Sequence, residues 1–188
     1  MSLNELDYTG VSIRNIPLSV KDCLKQWRMN ALTTEGKQGL WLFGPRGAGT
    51  SYAAKVIVSR MAYEEDGFIG ETEHVEAVDL VTLVRATWGA SSKQRDHSDD
   101  LALFLEAQDI EDRLDYLFYR CRLLWVDDLH HDTIDWNIWR KHVQPFLERR
   151  VKHRMPTVIS TTLPPVHDFL PARVIDTHFI TSLCDAGR

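Results

Sequence analysis

Residues 40–51 read Leu-Trp-Leu-Phe-Gly-Pro-Arg-Gly-Ala-Gly-Thr-Ser, an apolar run that passes directly into a glycine-rich turn. The uninterrupted apolar run is typical of a buried strand, and the breaker-free segment 53–63 that follows predicts a helix. A glycine-rich turn in this setting is typical of a phosphate-binding loop, because its backbone N–H groups and the helix N-terminus attract a polyphosphate. The segment therefore predicts a nucleotide site, although a turn that binds nothing could carry the same glycines.

The loop departs from the pattern G-x-x-x-x-G-K-[ST] at one position, where Thr50 stands in place of the lysine. A charge-assisted hydrogen bond contributes about 1.5–3 kcal/mol, so its loss predicts binding about tenfold to hundredfold weaker. Ser51 keeps the hydroxyl that ligates Mg²⁺. Arg46 in the loop and Lys55 beyond it are the cations that could substitute, and the alternative for each is solvated surface.

A second motif, Leu-Leu-Trp-Val-Asp-Asp, occupies residues 123–128. Apolar residues that end in a pair of carboxylates are typical of the Walker B strand, in which the first carboxylate holds Mg²⁺ and the second orients the attacking water. Asp127 fits the first role and Asp128 the second. The alternative is a buried strand that leaves the core through polar residues, and the phosphate-binding loop upstream favours the functional interpretation.

Strands and helices alternate along the rest of the chain. Segments 75–78, 157–160 and 179–181 are predicted strands, the polar segment 89–100 is a predicted exposed loop, and Pro145 is predicted to kink or restart a helix. This order predicts an α/β fold with a parallel sheet covered by helices on both faces. We predict one nucleotide-binding core over residues 39–188, preceded by a helical segment over residues 1–38 in which Leu24 and Trp27 lie on one apolar stripe.

The composition is that of a globular protein: 188 residues, 44% hydrophobic and 26% charged, with a net charge of -5. No membrane span or signal pattern is visible, which predicts a cytoplasmic protein with no membrane partner. The net charge argues against a DNA grip by the whole surface. Any DNA contact would use a local basic cluster, either Lys93 with Arg95 or the cluster that begins at Arg149 and ends at Arg154, and solvated surface is the alternative for both.

The sequence resembles the helicase-loader and replication-initiator group of bacterial AAA+ ATPases, including the allied transposition ATPases. The residues that carry the resemblance are segments 44–52, 123–129, 143–150 and 155–164. The resemblance implies a parallel-sheet P-loop NTPase fold with an AAA+ core, an αβα sandwich, and no C-terminal helical lid domain. It also implies ATP or ADP as ligand, with Mg²⁺ held by Ser51 and Asp127.

Further site residues follow from the resemblance alone. Thr162 falls at the position of the asparagine that orients water, Arg173 at the first arginine of the stretch that reaches a neighbouring subunit's γ-phosphate, and Arg188 near an arginine that faces the nucleotide. Thr177 replaces the second arginine of that stretch. The expected nucleotide-binding residues are Gly44, Pro45, Arg46, Gly47, Ala48, Gly49, Thr50, Ser51, Tyr52 and Arg188, and the expected catalytic residues are Asp128, Thr162 and Arg173.

These substitutions predict weak or absent ATP hydrolysis, because Thr50, Thr162 and Thr177 each remove a donor or cation that stabilises the transition state. The resemblance further implies head-to-tail self-assembly into a ring or spiral, with the replicative helicase as a candidate partner. Two alternatives stay open: a pseudo-ATPase scaffold that acts only through protein contacts, and a slow but competent ATPase in which Arg46 compensates for Thr50.

Two groups of residues invite further interpretation. His130 and His131 follow the acidic pair, and adjacent histidines do not easily face one metal ion, so we expect polar surface there. The tryptophans at 27, 41, 125 and 139 lie on apolar stripes or in predicted strands, which favours packing in the core. Trp88, beside the polar segment, is predicted to pack in the core or to anchor that loop, and stacking on a nucleic-acid base is the alternative.

Overall fold

In the part of the chain that the computed structural model describes, four short strands form a single parallel sheet. The structure describes residues 22, 24, 25, 27, 39–47, 49–63, 71–96, 101–130, 132–153 and 155–163. The strands are β1 (Leu40–Phe43), β2 (Thr72–Glu76), β3 (Leu123–Leu129) and β4 (Thr157–Thr161). Their order across the sheet is β1-β4-β3-β2, and every neighbouring pair is parallel. The predicted strand at 179–181 lies outside the described residues.

The helices follow the strands in the alternating order that the sequence predicts. They are α1 (Thr50–Tyr63), α2 (Ala77–Asp96), α3 (Leu101–Asp115), the single turn α4 (Trp136–Ile138) and α5 (Gln144–Lys152). Two π-helical turns, Tyr116–Arg120 and Trp139–Val143, extend α3 and join α4 to α5. Pro145 therefore lies in the first turn of α5, directly after the second π-helical turn and within one continuous helical stretch. None of the described helices is both long enough and apolar enough to span a bilayer.

Successive side chains of the strands enter opposite faces of the sheet, as strand geometry requires. Leu40 and Leu42 of β1 pack with α1 and with the buried Leu24 and Trp27, which are helical. Trp41, between them in sequence, packs on the opposite face in the cluster that contains α2 and the helical stretch 136–152. The sheet is thus covered on both faces, which confirms the predicted α/β sandwich. Burial of Trp27, Trp41, Trp125 and Trp139 confirms their predicted place in the core.

Two predicted boundaries are wrong. The second strand lies at Thr72–Glu76 rather than 75–78, because its buried Glu73 interrupts the apolar pattern by which strands are recognised. Arg113 pairs with that carboxylate at 2.9 Å and the Tyr116 hydroxyl donates to it at 3.2 Å, which compensates for its burial. The segment predicted as a loop from residue 89 is largely helical, since α2 continues to Asp96 and carries Lys93 and Arg95. The side chain of Trp88 lies outside what the structure describes.

Arg150 is buried, with 1% of its surface exposed, and joins several backbone segments. Its guanidinium donates to the carbonyls of Leu117 at 2.5 Å, Cys121 at 2.9 Å and Pro156 at 3.3 Å, while Nε donates to the Thr157 hydroxyl at 3.2 Å. These acceptors lie in and just after the first π-helical turn and where β4 begins. The prediction of a basic surface cluster from Arg149 to Arg154 is therefore wrong for Arg150, because its guanidinium is buried and donates to backbone carbonyls inside the fold. Arg149 is exposed, and Arg154 lies outside the described residues.

The burial of Arg150 predicts a large difference between two adjacent arginines. Arg150→Met should lower the free energy of unfolding by at least about 3 kcal/mol, because several buried carbonyls lose their donor at once. The exposed neighbour gives the control: Arg149→Met should change it by no more than about 0.5 kcal/mol. Urea unfolding followed by circular dichroism measures both variants, and equal losses would contradict the structural role of Arg150.

Candidate nucleotide-binding site

The loops that follow β1, β3 and β4 meet at one edge of the sheet. Because β4 lies between β1 and β3, the carboxyl ends of these three parallel strands are neighbours. Ligands bind in open α/β sheets at this edge, beside the point where the strand order reverses. The Gly44 amide donates to the Thr161 carbonyl at 3.2 Å, which fixes the start of the glycine-rich loop to the end of β4.

The glycine-rich loop takes backbone conformations that favour glycine. Gly47 and Gly49 have φ angles of 82° and 85°, in the left-handed region. A Cβ at Gly47 would meet no atom within 4 Å, so backbone conformation rather than space favours glycine there. Helix α1 begins at Thr50, and the Ala53 amide donates to the Gly49 carbonyl at 2.9 Å. The backbone amides that precede Ala53 in α1 lie in the first helical turn, where a helix offers no acceptor of its own. This end of the helix therefore attracts an anion.

Asp127 lies at the tip of β3, beside the loop. Its Oδ1 accepts hydrogen bonds from Ser51 Oγ at 2.8 Å and from Ser160 Oγ at 2.5 Å. Ser160 in turn accepts from Trp125 Nε1 at 2.7 Å, so a buried indole supports the carboxylate through one hydroxyl. Burial by itself would raise the pKa of Asp127, but the nearby His74 ring and the hydroxyls of Ser160 and Ser51 outweigh it and hold that pKa below its ordinary value. The group is therefore ionised at neutral pH.

The donor set around Asp127 fits Mg²⁺. A carboxylate and the Ser51 hydroxyl are hard oxygen ligands, and Mg²⁺ takes few protein ligands because it keeps several waters and binds substrate phosphates. His74 Nε2 lies 3.6 Å from Asp127 Oδ2, beyond hydrogen-bonding distance, and is buried with no hydrogen-bond partner among the described residues. A water of the metal shell would satisfy that nitrogen. The described residues contain no cluster of three or more His, Cys, Asp or Glu side chains that could hold a metal by themselves.

Asp128 follows at a bulge in β3, where the register with β4 shifts between Val126 and Leu129. Its φ of 56° is left-handed, an uncommon conformation for a residue other than glycine. The bulge leaves the Asp128 side chain exposed on the pocket side of the strand, with 59% of its surface accessible. A strained backbone of this kind commonly occurs at functional sites, because it directs a side chain that a regular strand would place elsewhere.

His130 is the functional candidate that sequence reasoning missed. The expectation of polar surface is wrong for this residue, which is 8% exposed. Its Nε2 contacts Asp128 Oδ1, and its Nδ1 lies 2.5 Å from Thr162 Oγ1. The only signal in the sequence was that His130 lies two residues after Asp128. That signal is weak without the bulge, which brings the imidazole between Asp128 and Thr162. His131 lies outside the described residues.

Asp128 and His130 line one pocket of about 280 Å³ together with the glycine-rich loop. It brings together residues from the glycine-rich loop, the tip of β3 and the end of β4, namely Pro45, Arg46, Gly47, Thr50, Ser51, Asp128, His130, Ser160, Thr161 and Thr162. Most of the predicted loop residues, together with Asp128 and Thr162, thus share one cavity. Tyr52 does not line it, since its partly buried side chain packs against the core on the α1 face. Ala48, Arg173, Thr177 and Arg188 lie outside the described residues.

The fold is similar to that of solved structures. The crystal structure of DnaI matches with a TM-score of 0.51 at 18% identity, covering 87% of this chain and 72% of DnaI. A protein of Streptococcus pyogenes serotype M3 assigned as a primosome component matches with a TM-score of 0.51 at 14% identity, covering 81% of this chain and 69% of that chain. A scan against protein-family models gives no match, and neither does a search of curated proteins. At these identities the likeness establishes the fold alone, a parallel sheet covered by helices.

The position of Asp127 predicts that its charge is needed for Mg²⁺ but not for folding. In Asp127→Asn, the side-chain carbonyl still accepts from Ser51 and Ser160, so the variant should unfold at nearly the wild-type temperature. In the presence of Mg²⁺, the variant should bind ATP only as tightly as the wild type does in EDTA, because the ionised metal ligand is gone. Titration calorimetry with and without Mg²⁺ measures this change. Asp109→Asn, at an exposed position of α3, is the control and should keep the Mg²⁺ effect.

Proposed function

We propose that this protein is a replication-associated AAA+ nucleotide-binding protein that binds ATP or ADP with Mg²⁺ and assembles with copies of itself. The observation that carries the proposal is the hydrogen bond between Ser51, after the glycine-rich loop, and Asp127, at the tip of β3. These side chains are 76 residues apart in sequence, and the bond places a hydroxyl and an ionised carboxylate side by side, as a Mg²⁺–polyphosphate complex requires. The pocket beside them is lined by the loop itself.

The nucleotide in this proposal is a structural ligand, and its hydrolysis is weak or absent. Thr50 lines the pocket where a lysine would neutralise phosphate charge. Loss of one group that stabilises a transition state commonly lowers the rate by about 10²–10³. Asp128, the residue expected to orient water, is held by His130, which reduces its availability further. Arg46 is the cation on the pocket wall that partly offsets the missing lysine.

Assembly is proposed through Arg173, which the family resemblance places at the neighbouring subunit's γ-phosphate. Such a contact is heterologous, so repeated copies form a ring or an open spiral. A ligand shared between subunits stabilises the assembled form by its binding free energy. The replicative helicase is the proposed protein partner. Exposed basic side chains such as Arg149 are the proposed DNA contact, together with Lys93 and Arg95 on α2.

One experiment tests the proposal against its alternatives. Size-exclusion chromatography with light scattering is run with Mg-ATP, with Mg-ADP and without nucleotide, beside a phosphate-release assay. We expect assembly that depends on nucleotide, with little or no turnover. An oligomeric state that does not change with nucleotide would instead favour the pseudo-ATPase scaffold, and sustained turnover would favour the slow ATPase.

Arg173→Ala should remove assembly while leaving nucleotide binding by the monomer unchanged.

The missing lysine predicts a gain of function. Thr50→Lys should raise ATP affinity about tenfold to hundredfold, because it restores a charge-assisted hydrogen bond worth about 1.5–3 kcal/mol. Thr82→Lys adds the same charge at an exposed position of α2 and should leave the affinity unchanged. Calorimetry on both variants measures the difference. Equal affinities in wild type and Thr50→Lys would mean that the loop does not surround the phosphates.

A further inference from the structure

His130 is engaged at both ring nitrogens, although it lines a pocket. Nε2 contacts the Asp128 carboxylate, and Nδ1 lies 2.5 Å from the Thr162 hydroxyl oxygen. The Thr133 hydroxyl donates to the backbone carbonyl of His130 at 3.5 Å. The imidazole therefore joins the end of β3 to the residue that follows β4.

The partners determine where the protons lie. An ionised carboxylate only accepts hydrogen bonds, so His130 Nε2 must carry a proton and donate to Asp128. In the neutral ring Nδ1 is then an acceptor, and it accepts the single hydrogen of the Thr162 hydroxyl. The Thr162 oxygen consequently presents only lone pairs to the pocket. In this state Thr162 repels an incoming phosphate oxygen.

A phosphate at Thr162 is favoured only if the hydroxyl turns and donates to it. That rotation leaves Nδ1 without its hydrogen-bond donor, and a proton taken up from solvent at Nδ1 restores the bond, with Nδ1–H now donating to the Thr162 oxygen. The resulting imidazolium is stabilised by Asp128. Arg46 of the glycine-rich loop is a charged residue that lines the same pocket. Asp127 of β3 accepts from Ser51 and Ser160 instead.

We propose that His130 senses the terminal phosphate of a bound nucleoside triphosphate, its ring taking up one proton as Thr162 turns to donate to that phosphate. This inference rests on the nucleotide binding proposed above. A diphosphate lacks the terminal phosphate to which Thr162 would donate, so it does not drive the rotation. The imidazolium also places a positive charge in a pocket where Thr50 has replaced the lysine. Triphosphate binding therefore becomes weaker as the pH rises, by at most about tenfold per pH unit, whereas diphosphate binding does not.

Calorimetry in two buffers of different ionisation enthalpy tests the inference, with ADP and a non-hydrolysable ATP analogue as ligands. At about pH 7.5, above the phosphate pKa of about 6, the wild type should take up about one more proton with the triphosphate than with the diphosphate. His130→Gln keeps a donor for Asp128 and an acceptor for Thr162 but cannot gain the proton. It should unfold at nearly the wild-type temperature, show no additional uptake, and lose the preference for triphosphate by about tenfold to hundredfold.

His153→Gln, at an exposed position, is the matched control and should behave as wild type. Equal proton uptake for the two ligands in wild type would overturn the sensing role while leaving nucleotide binding intact. The same additional uptake in His130→Gln would overturn it too, because the proton would then belong to another group. A wild type that binds neither ligand would overturn the proposed function, and the inference with it.

Discussion

The Asp127 carboxylate connects the three strand ends from which the pocket is built. One of its oxygens accepts from Ser51 at the start of α1 and from Ser160 in β4, while Asp127 itself ends the apolar part of β3. A single acceptor shared by two hydroxyls fixes the separation between the glycine-rich loop and the central strand. Hydrogen bonding to the ionised form also keeps the carboxylate charged despite its burial. The same contacts that align the fold therefore prepare an oxygen ligand for a cation.

The parts of this arrangement that depend on local pattern could be predicted from the sequence. An apolar run followed by glycines fixes a strand, a turn and a helix within a few residues, so β1, the loop and α1 lie where segments 40–63 predict them. The pairing of Ser51 with Asp127 follows as well, because parallel strands place their carboxyl ends at a common edge. For these residues, the sequence pattern alone predicts which side chains are neighbours in the folded protein.

The rest depends on contacts between distant segments, for which the sequence has no local signal. Glu73 of β2 is buried because Arg113 of α3 and Tyr116 of the following π-helical turn meet it. Arg150 is buried because carbonyls from two distant segments, residues 117–121 and Pro156, converge on it. Without such partners, a charged residue in the sequence predicts a side chain that is exposed to solvent. His130 is the sharpest example, since a bulge and a left-handed residue two positions earlier decide that it faces Thr162 rather than water.

The hydrogen bond from the Trp125 indole to Ser160 places a fluorophore one hydroxyl away from the Asp127 carboxylate. The same ring lies 4.2 Å, centroid to centroid, from His74, which approaches the other oxygen of that carboxylate. Indole emission responds to nearby charge and to the strength of its N–H hydrogen bond. We therefore expect the Trp125 indole, which is buried in the core, to report changes of charge around the Asp127 carboxylate without an attached label.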